Sequence, residues 1–365
     1  MSVARASRLP CLGDGHPARD LWRERDAPAT AGETPALQPV VRETMNWETL
    51  KARLLPRRGE RTGAFVMPSV VLDMQPGFIA GARLDRSSRQ VRRLAVRQLE
   101  AGALEPLPSR PNLAKPEVVR RAIREVLETV GNGGGRLGIL LPDPSVRVAI
   151  LRFDTLPHHR EEAEALVRWK MGGILPFPPE EARVSYQLLS KGNQPVELLA
   201  MAVRNSIMAE YEAAFERVSS GPALVLPATA ALLPLMPAGG QGGQVLVNVC
   251  SGSVTTVVTA GDGISFWRNR LLEAHTAEGE GEVVREIARV VATCRDHLKS
   301  DIEDLWIYIR PPATRSLDKE IEEVTGRHVH LLDSSASHSA VLPPAEKKIW
   351  EGFGMTFAGL LENHN

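Results

Sequence analysis

The chain has 365 residues, 43% of them hydrophobic and 24% charged, with Lys+Arg and Asp+Glu both at 44. That length suits about two domains with substantial cores, and the balanced charge gives no electrostatic ground for nucleic acid or an anionic membrane as main partner. The cysteines are Cys11, Cys250 and Cys294; they form no C-x-x-C pair, which argues against a disulfide framework or zinc knuckle and fits a reducing cytoplasm.

In chain order, residues 1–44 are rich in Pro, Ala, Arg and Gly without an apolar period, which predicts a disordered leader. Met45 opens "MNWETLKARLLPRR" and reads as an alternative native start, so the leader is either a start-assignment error or a vestigial tail. No apolar segment of the kind a secretory signal needs follows the first residues. From Ser69, "SVVLDMQPGFIAGARLD" predicts strand, turn and strand, and "RQVRRLAVRQLE" a third strand. "KPEVVRRAIREVLETVGNGGG" is helical, with Val118, Val119, Ala122, Ile123, Val126, Leu127 and Val130 on one stripe and Gly131 as a stop. "RLGILLPD" has the continuous apolar run of a strand covered on both faces.

A second small unit follows: the strand "VRVAILRFDTLP", the helix "HREEAEALVRWKM", the strands "ARVSYQLL" and "ELLAMAVR", the helix "NSIMAEYEAAFERV" and the strand "ALVL". Pro222 to Gly240 is the most apolar stretch, but Pro227, Pro234 and Pro237 interrupt it. It therefore reads as a strand and a short helix rather than the roughly 20-residue run a membrane span needs. After the joint "AGGQGG" the first order begins again, with strands at Val245–Val249, Val254–Ala260 and Ile264–Leu271 and a helix from about Glu282 to Leu298. In that helix Val283, Ile287, Val290, Val291, Cys294 and Leu298 share one side. The strand "DLWIYIR", a helix, the strand "HVHLL" and one final helix, "AEKKIWEGFGMTFAGLLE", complete the chain. β-β-β-α-β thus occurs twice, an internal duplication.

A duplicated three-strand meander with a crossover helix is the plan of the actin, Hsp70 and sugar-kinase group. "HREEAEALVRWKMGGILPFPPEEARVSYQLL", "LLAMAVRNSIMAEYEAAFERV" with "VLPATAALL", and "LLPDPSVRVAILRFDTLP" resemble the PilM family of type IV pilus assembly proteins. The resemblance covers about Val70 to Leu361, and the cytoplasmic domain of the secretion protein GspL is a related fold. It implies an α/β, actin-like (ribonuclease H-like) chain of two lobes. The first is expected over 66–237, with an inserted small α/β subdomain at about 146–204. The second is expected over 243–362, reduced by the loss of its own inserted subdomain, because "RNRLLEAHTAEGEGEVVREIARVVATCRDHLKS" passes almost directly from strand to helix.

A nucleotide site in such a fold needs glycine-bearing hairpins whose N–H groups meet the phosphates. It also needs carboxylates for Mg²⁺ and its water, and a Gly-Gly turn where the adenosine meets the backbone. The candidate positions are Asp73, Gly77, Asn248, Ser251 and Gly252. Relative to the PilM-like pattern, Asp73 is retained, but Gln75 stands at the early Gly, Ala80 at the Lys, and Pro76 removes an N–H. The family's Asp-Ile-Gly is Asn248-Val249-Cys250, and its Ser-Gly-Gly is Arg310-Pro311-Pro312, where the two prolines are expected to fill the adenosine space. The departures together predict a site that does not hold ATP or Mg²⁺. "GNGGG" at Gly131 to Gly135 lacks the phosphate-loop pattern and precedes a strand. His328 and His330 alternate on one strand face without a third ligand in register, and His158-His159 before Glu161-Glu162 reads as a helix N-terminus. "DSSASHSAVL" reads as a loop, and no nucleophile–base spacing is present.

The resemblance implies a non-catalytic cytoplasmic scaffold, peripheral at the inner membrane through its partners. Those partners are the cytoplasmic N-terminal tail of a PilN-like single-span protein and the hexameric assembly ATPases. The alternatives are an ATP-binding PilM-like protein with Asp73 on Mg²⁺ water, and a sugar-kinase-type enzyme with a carboxylate base. Leu141, Pro142, Trp169, Ile174 and Phe177 are the candidate groove residues for the tail. Pro176, Pro178 and Pro179 end the preceding helix near Gly172 or Gly173, and Ile174, Leu175 and Phe177 then either line that groove or plug the subdomain core.

Overall fold

The computed structural model describes residues 68–131, 136–189, 195–216, 218, 221–237, 242–260, 263–272, 277–294, 302–311, 317–332 and 336–362. The expected leader 1–44, Met45, Asn132 to Gly135, Leu298 and Pro312 lie outside the described residues.

The first sheet is built from β1 (Val70–Gln75), β2 (Phe78–Asp85), β3 (Gln90–Gln98), β4 (Leu137–Leu141) and β8 (Pro222–Pro227), in the order β3-β2-β1-β4-β8. The second uses β9 (Gly243–Cys250), β10 (Ser253–Ala260), β11 (Gly263–Leu271), β12 (Ile302–Ile309) and β13 (His328–Leu331), in the order β11-β10-β9-β12-β13. The two orders are the same plan, an antiparallel meander whose first strand pairs in parallel with the fourth and the fourth with the fifth. β1 and β4 are buried along their whole length, as continuous apolar strands covered on both faces must be.

Helix α1 (Pro116–Val130) starts with Pro at its first position and ends at Gly131, whose φ of 82° only glycine adopts without strain. Its stripe packs on Val70, Leu72, Met74 and Ile79, one face of the first sheet. Alternation along β1 puts Val71 and Asp73 on the opposite face. That face is covered from the far end of the chain by α6 (Pro344–Phe353) and α7 (Met355–Glu362), through Trp350, Phe357, Leu360 and Leu361. One final helix was expected; there are two, because the chain breaks at Gly354, where a Cβ would enter the Trp350 ring. The remaining helices of the second lobe are α4 (Ala277–Thr293) and α5 (Asp318–Thr325). α4 buries Val283, Val284, Ile287, Val290 and Val291 against the second sheet, joined by Cys294 just past its end.

Between β4 and β8 lies a three-stranded antiparallel sheet, β5 (Arg147–Phe153), β6 (Ala182–Leu188) and β7 (Val196–Arg204), with β7 central. α2 (Arg160–Met171) covers one face, meeting Leu198, Ala200 and Ala202 of β7 through Val167 and Met171. The alternate residues Leu199 and Met201 face the other way and join Leu246, Val257, Ile264, Tyr308 and Met355 in a core shared with the second lobe. α3 (Asn205–Ala214) returns the chain to β8. Among the described residues no helix is long and apolar enough to cross a membrane.

Candidate functional site: the cleft between the lobes

Parallel strands of both sheets end at the cleft, and the polar residues there sit at strand termini. Asp73 is near the end of β1, Asp143 two residues past β4, Thr229 just past β8, Asn248 near the end of β9, and Arg310 immediately after β12. The duplication is visible in detail. Asp73 and Asn248 each lie three residues before a hairpin turn, Pro76-Gly77 and Ser251-Gly252, and Gly252 takes φ 76° there. Gln75 and Cys250 are the equivalent last residues of their strands, and Pro142 and Arg310 the equivalent first residues after β4 and β12.

Asp73, Asp143, Thr229, Asn248 and Arg310 are buried, and hydrogen bonds join them across the lobes. Arg310 Nη1 donates to Asp73 Oδ2 at 2.6 Å in an ion pair whose side chains are 1% and 2% exposed. Thr356 Oγ1 donates to the same oxygen at 2.9 Å and Gln75 Nε2 to Asp73 Oδ1 at 2.6 Å. Arg310 Nε donates to Asn248 Oδ1 at 3.1 Å. Asn248 Nδ2 in turn donates to Asp143 Oδ2 at 3.1 Å and to Thr229 Oγ1 at 2.8 Å. Asp143 also accepts from the Thr229 N–H at 3.0 Å, from the Thr229 hydroxyl and from Thr255 Oγ1 at 2.7 Å. Cys250 Sγ donates to Gln75 Oε1 at 3.3 Å. Arg310, Asn248, Thr255 and Cys250 belong to the second lobe; Asp73, Gln75, Asp143 and Thr229 to the first.

The electrostatics follow from burial. Burial works against the Arg310 charge, but Asp73, with Tyr308 and Cys250 beside it, outweighs that effect, and the guanidinium holds its proton above the ordinary arginine range. Arg310 also lies 5.4 Å from the Tyr308 ring, and the Tyr308 hydroxyl, which burial keeps protonated, donates to Gly352 O at 3.0 Å. Burial pushes the Cys250 thiol up to about 12, so it acts as a neutral donor rather than a nucleophile. Arg310 Nη2 is buried without a hydrogen-bond partner.

Asp73 and Asn248 are therefore brought together, through Arg310, while Gly77, Ser251 and Gly252 sit outside this network. Those three line a cavity of 660 Å³ at the mouth of the cleft whose other walls include Leu99, Leu104, Leu107, Leu271 and Leu272, with Glu105 and Arg110 as its charged residues. The Arg310 side chain is buried in the cleft and Pro311 is half-buried, while Pro312 lies outside the described residues. Asp143, Thr229, Thr255 and Thr356 were not anticipated. The signal for Arg310 lay in Asp73 itself, since a buried carboxylate needs a cation or several donors.

The expected groove residues are not brought to one surface. Leu141 is in the first-lobe core, Pro142 is buried at the turn leading to Asp143, and Phe177 packs with Val167 and Met171 under α2. These are corrections: apolar side chains at covered positions fill cores. Trp169 is 74% exposed and Ile174 48%. A groove of 390 Å³ lies between the subdomain and the first lobe, with Val184, Ser185, Met201, Val225 and Leu226 among its walls and Arg160, Glu164 and Arg183 as its charged residues. Of the histidines, His330 Nε2 meets Asp304 Oδ1 at 3.0 Å and its ring stacks on Trp306, while His328 Nδ1 meets Glu322 Oε1 at 2.8 Å.

No protein-family profile and no curated protein sequence matches the chain. Among solved structures, a PilM-PilN type IV pilus biogenesis complex matches with 16% identity and a TM-score of 0.67, over 82% of this chain and 99% of the other. A Bacteroides thetaiotaomicron VPI-5482 protein described as having an actin-like ATPase fold and unknown function matches with 8% identity and a TM-score of 0.50, over 80% of this chain and 94% of the other. The chain has an actin-like fold. The network described above thus occupies the cleft between the two actin-like lobes. The cytoplasmic domain of EpsL, an inner-membrane component of the Vibrio cholerae type II secretion system, also matches, with 10% identity and a TM-score of 0.42 over 77% of this chain and 94% of the other.

Proposed function

We propose that this chain is a non-catalytic scaffold of a type IV pilus or related secretion platform, cytoplasmic and held at the inner membrane by its partners. It takes up the N-terminal tail of a PilN-like single-span membrane protein and contacts the assembly ATPases. The observation that carries the reading is the Arg310–Asp73 pair in the cleft. Mg²⁺ demands oxygen ligands in near-octahedral array, and a triphosphate needs free donors. Asp73 accepts from Gln75, Arg310 and Thr356, and Asp143 accepts from Thr229, Asn248 and Thr255. The residues present do not fit Mg-ATP, because an internal cation already holds the carboxylate that would serve it. Both carboxylates are buried and engaged by these donors rather than presented to a substrate hydroxyl, which counts against the sugar-kinase reading.

For the tail, the reading rests on the likeness to a PilM-PilN complex and on the groove between subdomain and first lobe, whose Met201 and Met208 are adaptable walls. An extended segment in such a groove gains main-chain hydrogen bonds and side-chain pockets. Ser185 is exposed on its wall, so Ser185→Arg blocks the groove while sparing the core. In a fluorescence titration with the cytoplasmic tail peptide of the PilN-like protein from the same organism, the wild type is expected to bind saturably and Ser185→Arg about tenfold or more weakly, a loss of about 1.4 kcal/mol. Equal binding by both proteins removes the tail from this groove; no binding by the wild type removes the partner.

A further inference from the structure

Four arginines gather where α4 meets β11. Arg268 and Arg270 are two apart on the strand and share one face, the face on which Phe266 packs into the α4 core. Arg285 and Arg289 are four apart on the helix, neighbours on its surface, and lie beside Glu282 and Glu286. The centre of the cluster is Glu286, whose side chain is 1% exposed. Its Oε1 lies 2.8 Å from Arg268 Nε. Its Oε2 accepts from Arg270 Nη1 at 2.9 Å and from Arg289 Nη1 at 2.6 Å. Arg270 Nη2 also donates to Glu282 Oε1 at 3.0 Å. Arg285 folds back along the helix, so that a Cβ on Gly281 would come within 3.3 Å of its Nη1. Arg285 is exposed, and among the described residues no carboxylate pairs with it.

One bidentate arginine satisfies both oxygens of a carboxylate, so three guanidinium groups on Glu286 exceed what that residue needs. Among the described side chains of the cluster, four arginines face the two carboxylates of Glu282 and Glu286. Like charges this close repel, and the surplus is relieved when an anion from outside shares it. The surplus is presented to solvent: the Arg268, Arg270 and Arg289 side chains are 46%, 32% and 51% exposed. Glu286 holds these three from behind, so part of the rotamer entropy that long side chains lose on binding is already lost in the free protein. The arginine fork matches a carboxylate in two parallel hydrogen bonds. A lipid surface fits less well, because attachment through so few charges needs an apolar anchor beside them. α4 adds no exposed large hydrophobic side chain, and Leu271 of β11 lines the cleft-mouth cavity on the other side of the strand.

We propose that Arg268, Arg270, Arg285 and Arg289 form a docking surface on the second lobe for an acidic segment of a partner protein, which sets two neighbouring carboxylates against them. Glu286 is the positioning residue of this surface. The surface is separate from the groove assigned to the membrane partner's tail and does not rest on that assignment.

The test is an anisotropy titration of the full chain against a hexaglutamate peptide carrying a neutral dye. The wild type is expected to bind it saturably, with an affinity that falls as salt is raised. Arg289→Gln leaves Arg268 and Arg270 to hold Glu286 and is expected to weaken binding about tenfold or more. Arg285→Gln touches no carboxylate, so it has no ion pair to lose, and is expected to weaken binding about threefold or more; it keeps the test decisive if Arg289→Gln does not fold. Arg120→Gln, on α1 with Glu117 as its partner, is expected to leave binding unchanged. Sedimentation with vesicles of equal phosphatidylglycerol and phosphatidylcholine is expected to leave the protein in the supernatant. Absence of saturable binding, affinity unchanged in Arg285→Gln with a wild-type circular dichroism spectrum, an equal loss in Arg120→Gln, or vesicle binding that Arg285→Gln removes would each overturn the proposal.

Discussion

Replacing Arg310 with methionine is expected to destabilise the protein by about 3–5 kcal/mol, the usual cost of removing one partner of a buried ion pair. The loss does not come from the attraction alone. Asp73 stays buried with an uncompensated charge, and Asn248 loses the donor to its Oδ1. Adding Asp73→Asn to Arg310→Met removes that charge while leaving an oxygen to accept from Gln75 and an amide NH2 whose hydrogen bond the Thr356 hydroxyl can accept, so the double variant is expected to recover most of the loss. Urea unfolding of the four proteins in a double-mutant cycle measures the coupling. If Arg310→Met alone costs less than about 1 kcal/mol, the pair is not the buried junction described above. A pair of this kind contributes little net stability against an apolar replacement of both partners; here it joins the second lobe to the first across the cleft.

The second large effect is expected at Gly359. α7 crosses the turn after β8 so closely that a Cβ on Gly359 would be driven into the Ala231 carbonyl oxygen, with the Ala231 carbonyl carbon at 3.0 Å and Leu232 Cα at 3.6 Å. Backbone, not a flexible side chain, is in the way. Gly→Ala in a helix ordinarily stabilises by about 0.5–1 kcal/mol; here the sign reverses, and Gly359→Ala is expected to lose about 2–3 kcal/mol, the upper part of the range for overpacking. Gly352, in the neighbouring α6, is the control: its Cβ would meet only Pro311 Cγ at 3.3 Å. Gly352→Ala is expected to change stability by no more than about 0.5 kcal/mol. Unfolding midpoints in urea separate the two, and equal midpoints would show that α7 does not seal the first lobe as described.

Much of this molecule was legible because its signals are local. The stripe of α1, the continuous apolar runs of β1 and β4, and the turn chemistry of Pro76-Gly77 and Ser251-Gly252 each declare an element, and their repetition declares the duplication. Trp169 belongs with these: Ala163, Val167 and Met171 recur every four residues on the buried side of α2, which leaves Trp169 facing solvent. The cleft was half legible. Gln75 and Cys250 could each be read as a departure at its own hairpin, but nothing local says that they are hydrogen-bonded to each other. Arg310 lies 237 residues from Asp73, and no periodicity reports a contact at that separation. The groove residues failed for a related reason. Leu141, Pro142 and Phe177 are apolar residues near a partner-facing region of the resemblance, and apolarity alone cannot tell a core from a wall. The break at Gly354 was missed because the apolar pattern continues through it, while the close approach of Trp350, which leaves no room for a Cβ there, exists only once the side chain is placed.

The central claim is that an arginine of the second lobe occupies the charge position a nucleotide's metal would otherwise serve. Isothermal titration calorimetry of the purified full chain with ATP and excess Mg²⁺ tests it most directly. The account predicts no saturable heat up to millimolar nucleotide; a saturable isotherm with micromolar affinity would contradict it.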